Sequence, residues 1–307
     1  MTQPLSASLV TCSFSGDFDV CRLLCESVDQ FAPDVAHRLY VPAKDVALFA
    51  GLASPRRTVA TQDSLLPRWF WKVPLPSQAW RRRLRLPRRN VYLTPYSLPV
   101  RGWIAQQIMK IAATEVADTE IVVHVDSDNA LIRPLRREDL ERGGRVRLYR
   151  NPEKVDQPSH RLWHAAAARL LGLPASDFHG AEYIDQLVVW RRSALLRMTA
   201  RLSARAGVDW RVALARAPHF AEYILYGVFV DRVLGLEAAG HFAEPRSLCL
   251  SRWEGEFADA ADEARFLAAI EPHHVACLIQ STIAMDLEAR RAVFERARAA
   301  AARQDGP

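Results

Sequence analysis

The residues able to do chemistry in this sequence concentrate at one place. Glu120 to Pro134 reads EIVVHVDSDNALIRP, an apolar run that ends in Asp126-Ser127-Asp128 before the chain turns. Two carboxylates one residue apart at the C-terminal end of a buried strand can both reach one hard cation. Oxygen donors of this kind suit Mg2+ or Mn2+, with substrate phosphates completing the shell. A D-x-D tripeptide alone is common in solvated turns; its place behind an apolar strand in mid-chain is what distinguishes this one. A second carboxylate is notable for its surroundings. Glu222 lies within HFAEYILYGVFV, residues 219–230, where an unpaired charge is costly. His219, Glu222 and Tyr226 fall at i, i+3 and i+7, the spacing of one helical stripe. Glu222 is therefore expected either to be paired across the core or to open onto a cleft. On a cleft wall it would bind a hydroxyl group or deprotonate one.

Elements must hold these groups, and the first third of the chain alternates short apolar runs with helical patterns, as β-α-β units do. Leu9 to Phe14 is expected as a strand, followed by a helix that Pro33 closes. Ala36 to Val41 is a second strand, Val46 to Leu52 a short helix and Arg57 to Ala60 a third strand. From Leu65 to Pro99 the periodicity fails in a stretch of prolines, tryptophans and arginines, the mark of a functional loop or flap. Helical spacing returns between Trp103 and Ala112, and Ile121 to Val125 is the clearest buried strand. In open α/β sheets ligands bind at the C-terminal edge of the strands, which is where the D-x-D falls. The second half is mostly helical. Ser159 is expected to cap a helix ending at Gly172, Tyr183 to Trp190 to form a strand, and Ser193 to Arg205 a helix. Pro218 to Leu234 reads as a largely buried helix, Val275 to Ile279 as a late strand and Asp286 to Arg303 as a terminal helix.

With 307 residues, half of them hydrophobic and 25% charged, the chain has the composition of a soluble globular protein and not of a disordered one. No apolar run approaches the ~20 residues of a membrane helix, and the N-terminus lacks a charged region before its apolar patch, so a cytoplasmic protein is expected. The five cysteines, Cys12, Cys21, Cys25, Cys249 and Cys277, contain no C-x-x-C pair and read as buried, reduced thiols. The net charge is +6, and only Lys44, Lys72, Lys110 and Lys154 of the 41 basic residues are lysines. Such an arginine bias can reflect a GC-rich genome, so charge by itself does not argue for a specific nucleic-acid partner. Local clustering carries more. Trp80 to Asn90 reads WRRRLRLPRRN, six arginines and no acid.

The strand ending in D-S-D behind a β-α-β half resembles the GT-A fold of nucleotide-sugar-dependent glycosyltransferases. More narrowly, GWIAQQIMKIAATEVADTEIVVHVDSD (residues 102–128), EYIDQLVVWRRSALLRM (182–198), HFAEYILYGVFV and the late IQS (279–281) resemble an uncharacterised bacterial group assigned to that fold. The resemblance implies an α/β, Rossmann-like mixed sheet flanked by helices, with a helix-rich C-terminal half. It would form one domain over residues 1–307: a nucleotide-sugar half to 135, an acceptor half from 136 to 285 and a helix over 286–304. It implies a metal-dependent transferase moving a sugar from a nucleoside-diphosphate sugar to a glycan or lipid-linked acceptor, in bacterial surface polysaccharide assembly. Asp126 and Asp128 would hold Mn2+ or Mg2+ against the donor's diphosphate, and the cation would stabilise the leaving group. The first strand and its turn point to Thr11, Ser13 and Asp17 for base and ribose, with Asp63 after the third strand. Gln107 and Lys110, on the helix before the D-x-D, are set to meet diphosphate or sugar. Glu222 would take the acceptor side, with His219 and Tyr226 beside it and Trp163 as an acceptor wall. His273 or His274 would be a third metal ligand. Arg82, Arg83 and Arg85 would meet an anionic acceptor, and the Arg81–Arg89 segment, with Trp69, Phe70, Trp71 and Trp80 beside it, would rest on the inner face of the membrane.

Two rivals are weighed against this. A haloacid-dehalogenase-like phosphatase also ends a buried strand in D-x-D, but that fold opens with the motif, and here 125 residues precede it. A non-catalytic polyanion- or membrane-binding module built on the arginine cluster would bind with steep salt dependence.

Overall fold

The computed structural model of the chain describes residues 5–74, 90–153 and 156–305. Its centre is a five-stranded sheet in the order Val188–Arg191, Ile121–His124, Ala7–Cys12, Ala36–Val41, Arg57–Thr61. The last four strands are parallel, and Val188–Arg191 runs antiparallel on Ile121–His124. Strand alternation divides the core into two layers. Val10 and Val122 face one side with Ile104, Ile108 and Ala112 of the Gly102–Glu115 helix. Leu9 and Val123 face the other with Leu24 and Val28 of the Phe18–Phe31 helix. This is a mixed α/β fold with a parallel-rich sheet flanked by helices, as the sequence pattern implied.

Three smaller sheets surround it. After the D-x-D the chain enters Asn129–Leu131, which pairs antiparallel with Ala276–Ile279, itself parallel to Cys249–Arg252. His241–Glu244 and Glu141–Arg142 flank Arg145–Tyr149. Trp71–Lys72, Val91–Leu93 and Val100–Arg101 form an antiparallel meander against the start of the Gly102–Glu115 helix.

Several boundaries depart from the expected ones. The helix at 158–171 opens on Pro158 after Gln157, so Ser159 lies inside it and does not cap it. Proline at the first helical position has its ring pre-set and loses no needed donor. Gly172 ends the helix at φ +69, as expected of glycine there. Of Tyr183 to Trp190 only Val188 onward is strand, up to Arg191. The helix expected from Pro218 begins at Glu222, runs to Val228 and continues as a π turn over Phe229–Leu234. Its Gly227 lies flush against the ring of Tyr183, where a Cβ would collide. All five cysteines are free and buried. No helix among the described residues is long and apolar enough to cross a membrane.

Candidate functional site

A cleft of about 370 Å3 opens at the C-terminal edge of the parallel strands, lined by Ser13, Asp17, Gln62, Lys110, Asp126 and Asp128 among others. The strand Ile121–His124 sets its floor: Val125 donates to the Val10 carbonyl (3.1 Å), and the chain then turns out of the sheet. The turn is fixed by Asn129, whose side-chain amide donates to the Asp126 carbonyl (3.0 Å) and to Gln186 Oε1 (2.9 Å). Asp126 and Asp128 both face the cleft, and Asp128 Oδ2 accepts from the Ser281 N–H (2.8 Å). Burial, with Asp126 close by, pushes the Asp128 carboxyl up to about 7, against the Ser281 hydrogen bond. Asp17 is also pushed up, by burial first and by Asp126, against the pull of the Ser127 side chain.

Beneath the D-x-D lies a buried lysine. Lys110 Nζ sits 3.0 Å from Asp126 Oδ1, 3.1 Å from Glu222 Oε1 and 2.8 Å from the Tyr223 hydroxyl. Burial alone would lower its pKa, but Asp126, Tyr223 and Glu222 outweigh that and hold it well above the usual value, so it stays charged. One cation is thus shared by two carboxylates. Glu222, 2% exposed, is pushed up by burial, with Lys110 opposing. The Gln107 amide is satisfied with its nitrogen toward Glu222 and its oxygen taking the Trp103 indole N–H at 3.0 Å. Trp103 lies at the cleft and stacks on Trp163, centroids 5.4 Å apart at 26°.

The structure thus brings together Ser13, Asp17, Gln107, Lys110, Asp126 and Asp128, and sets Trp163 behind Trp103. Others fall elsewhere. Glu222 is paired across the core and is not on the cleft wall. Tyr226 is fully buried, its ring stacked on Trp190 and its hydroxyl bonded to Arg191 N and His241 Nε2, because that face of the helix looks into the core. His219 precedes the helix and is exposed, so it shares no stripe with them. The buried Thr11 hydroxyl is taken by His37 (3.0 Å), since strand alternation turns Thr11 to the same face of the sheet as Leu9. Asp63 is exposed on the turn after the third strand, and Gln62 reaches the cleft in its place. His273 and His274 stand at the start of the strand whose end, Ile279, meets Asp128. About 15 Å of strand separates them from the D-x-D, and His274 Nδ1 accepts instead from Glu271 N. Arg82, Arg83 and Arg85 lie outside the described residues.

The sequence reading missed two groups. Asp185 is buried and pushed up to about 7 by that burial, against a hydrogen bond from Ser247 (2.6 Å). Its neighbour Gln186 braces Asn129, and Leu187 follows at φ +54. The signal was present: two polar residues interrupt the apolar run of YIDQLVVW. Arg290, 2% exposed, donates to the Ile279, Gln280 (3.3 Å) and Ile283 (3.4 Å) carbonyls and so fixes the segment holding Ser281. Nothing in a helix of alternating arginine and alanine marked it.

The donors fit a hard divalent cation. Asp126 and Asp128 present carboxylate oxygens on one turn, and burial, with Asp126 beside it, holds the Asp128 carboxyl above its usual pKa. Among the described residues no three acidic, cysteine or histidine side chains form a group that could hold a metal ion. Mg2+ is commonly bound by one or two carboxylates with substrate phosphates and water.

A family model described as a family of unknown function, DUF6492, matches residues 4–299. No curated protein matches the sequence. Among solved structures, the galactosyltransferase LgtC, crystallised with donor and acceptor sugar analogues, is similar at 14% identity. The match covers 95% of each chain with a TM-score of 0.41.

Proposed function

This chain belongs to DUF6492, a family of unknown function, and we propose from its cleft that it transfers a sugar from a nucleoside-diphosphate sugar to a hydroxyl group. The observation that carries the reading is the pair Asp126 and Asp128 at the C-terminal edge of a parallel sheet, in one cleft with Ser13, Gln62 and Lys110. A parallel sheet's C-terminal edge is where a nucleotide fits, and paired carboxylates there suit a cation that a diphosphate completes.

The residues divide the work. Ser13 and Asp17 sit after the first strand and offer polar atoms to the nucleoside. Asp126 and Asp128 would hold Mn2+ or Mg2+, which when bound offsets the charge left on the departing nucleoside diphosphate. Lys110 fixes Asp126 from below and, lining the same cleft, adds positive potential beside the diphosphate. Glu222 and Gln107 hold Lys110 and Trp103 in place, so Glu222 is a positioning residue and not the base. The acceptor side is the Trp103–Trp163 stack: Trp103, 37% exposed, presents a flat apolar face to a sugar ring. A glycan or lipid-linked sugar is the acceptor that such a wall suits.

Nucleoside diphosphates should bind with micromolar affinity in the presence of Mn2+ and at least ~10-fold more weakly in EDTA, read by calorimetry. Equal affinity with and without metal, or release of phosphate from p-nitrophenyl phosphate in place of nucleotide binding, would overturn the assignment.

A further inference from the structure

We propose that the cavity between the end of the 158–171 helix and the π turn Phe229–Leu234 is a second ligand site, built for a small carboxylate with an apolar body. It measures about 320 Å3 and is lined by Leu173, Pro174, Ser176, Phe178, His179 and Arg232, none of which borders the cleft at the D-x-D. From Trp163, behind that cleft, the helix runs about 12 Å to Leu171 before the chain enters the cavity wall. The walls are fixed. Gly172 ends the helix, and the Leu173 N–H returns to the Ala168 carbonyl (2.9 Å). The Ser176 hydroxyl donates to the Phe178 carbonyl (2.6 Å) and accepts from the Phe178 N–H (3.1 Å), closing the loop on itself. Across the cavity Arg232 belongs to a π turn, a rare form that recurs at functional sites. Its Nε donates to the His179 carbonyl (2.9 Å). Its guanidinium lies so close over Gly180, at φ +84, that a Cβ there would stand 2.6 Å from a terminal nitrogen. Only a glycine leaves room for it.

The polar groups left open in this cavity decide the occupant. Arg232 is held in place without a carboxylate: among the described residues it makes no ion pair and only its Nε is hydrogen-bonded. The neighbouring Asp231 is already taken by Arg150 Nε (2.9 Å) and the Tyr183 hydroxyl (2.7 Å). His179, 9% exposed, is kept neutral by burial and by Arg232, and its Nε2 has no partner. His164, fully buried, leaves both ring nitrogens unbonded, its ring 6.1 Å from that of His179 and 5.3 Å from that of Phe178. Burial keeps it neutral as well. Buried polar atoms are ordinarily satisfied, so open imidazole nitrogens beside an unpaired guanidinium mark a place that a ligand completes. The guanidinium is a planar fork of donors, the match of a carboxylate. With both imidazoles neutral, the described lining carries one positive charge, which a carboxylate balances and a phosphate dianion exceeds. Leu173, Pro174 and the Phe178 ring leave apolar wall for the body of the ligand, and the volume is at the low end for small-molecule sites.

The test is fluorine NMR of para-fluorobenzoate with the full chain, its line broadening compared with that of para-fluorobenzyl alcohol and para-fluorophenyl phosphate. The benzoate is expected to bind with a Kd of ~1 mM, the strength a ligand this small reaches in such a site, and the neutral alcohol at least ~10-fold more weakly. Arg232→Met should weaken the benzoate by ~10-fold or more, and Arg232→Lys by less, because lysine keeps the charge and loses the fork. Both variants should keep the wild-type melting temperature; if Arg232→Met does not, the loss of affinity in Arg232→Lys decides the matter. Asp128→Asn, and saturating nucleoside diphosphate with Mn2+, should leave benzoate binding unchanged, so this site and sugar transfer stand or fall separately. Absence of broadening at about 10 mM benzoate would overturn the proposal. So would equal binding of the alcohol, which marks an apolar cavity only, or undiminished binding by the Arg232 variants. Displacement by the nucleotide would return the benzoate to the cleft. Tighter binding of the phenyl phosphate would give the cavity to a phosphate and overturn the carboxylate assignment.

Discussion

Asp128→Asn is expected to abolish Mn2+-dependent binding of nucleoside diphosphates while the metal-free protein melts no lower than the wild type. The two effects have one cause. Asp128 is 6% exposed and lies beside Asp126, so its carboxyl is held up near 7, whereas an unfolded chain ionises it near 4. Folding therefore favours the protonated form. The cost of ionising it is absent below about pH 4, grows through the window to about 7 and is complete above that. Its ceiling is about 4 kcal/mol. Asparagine removes that cost and keeps an oxygen for the Ser281 N–H. The variant's advantage in melting temperature should thus widen from pH 4 to 7 without metal, and reverse when Mn2+ stabilises the wild type alone. Thermal melts across that range, with and without Mn2+, read both signs. A variant that still binds nucleotide in a metal-dependent way would remove Asp128 from the ligand set.

The second large effect belongs to Lys110. Lys110→Met leaves two carboxylates without their shared cation, one of them, Glu222, with a side chain only 3% exposed. Removing one partner of a buried pair costs about 3–5 kcal/mol, because the remaining charge is stranded. Asp126, its side chain 30% exposed, is partly relieved by water; Glu222 is not. Adding Glu222→Gln to Lys110→Met should therefore restore stability, with a coupling of about 1–3 kcal/mol in a denaturation cycle. Simple additivity would mean that the two do not share one electrostatic unit. Glu222→Gln alone should change turnover far less than Lys110→Met does.

The sequence made the sheet legible, because short apolar runs alternate with helical patterns in its first third, and IVVHV followed by two aspartates marked the floor of the cleft. Glu222 was legible as a residue needing an explanation but not as a partner of Lys110. Helical spacing relates residues on one helix, whereas this pair joins the Gly102–Glu115 helix to the one that begins at Glu222. Stripe arguments failed at His219 because the helix starts three residues later, and failed at Tyr226 because its face looks into the core. The two late histidines were misjudged by direction: a strand's beginning and end look alike in sequence but are a site's width apart in space. Trp163 was found by type alone, while Trp103, which stands at the cleft, was noted only for its helical spacing.

The Asp128–Ser281 hydrogen bond joins residues 153 positions apart, and Arg290 buttresses it from the last helix. The turn that carries Asp126 and Asp128 is therefore completed by residues 281–290 and not by the part of the sequence in which it lies. A chain cut between the two would keep the strands of the central sheet and lose the amide that meets Asp128.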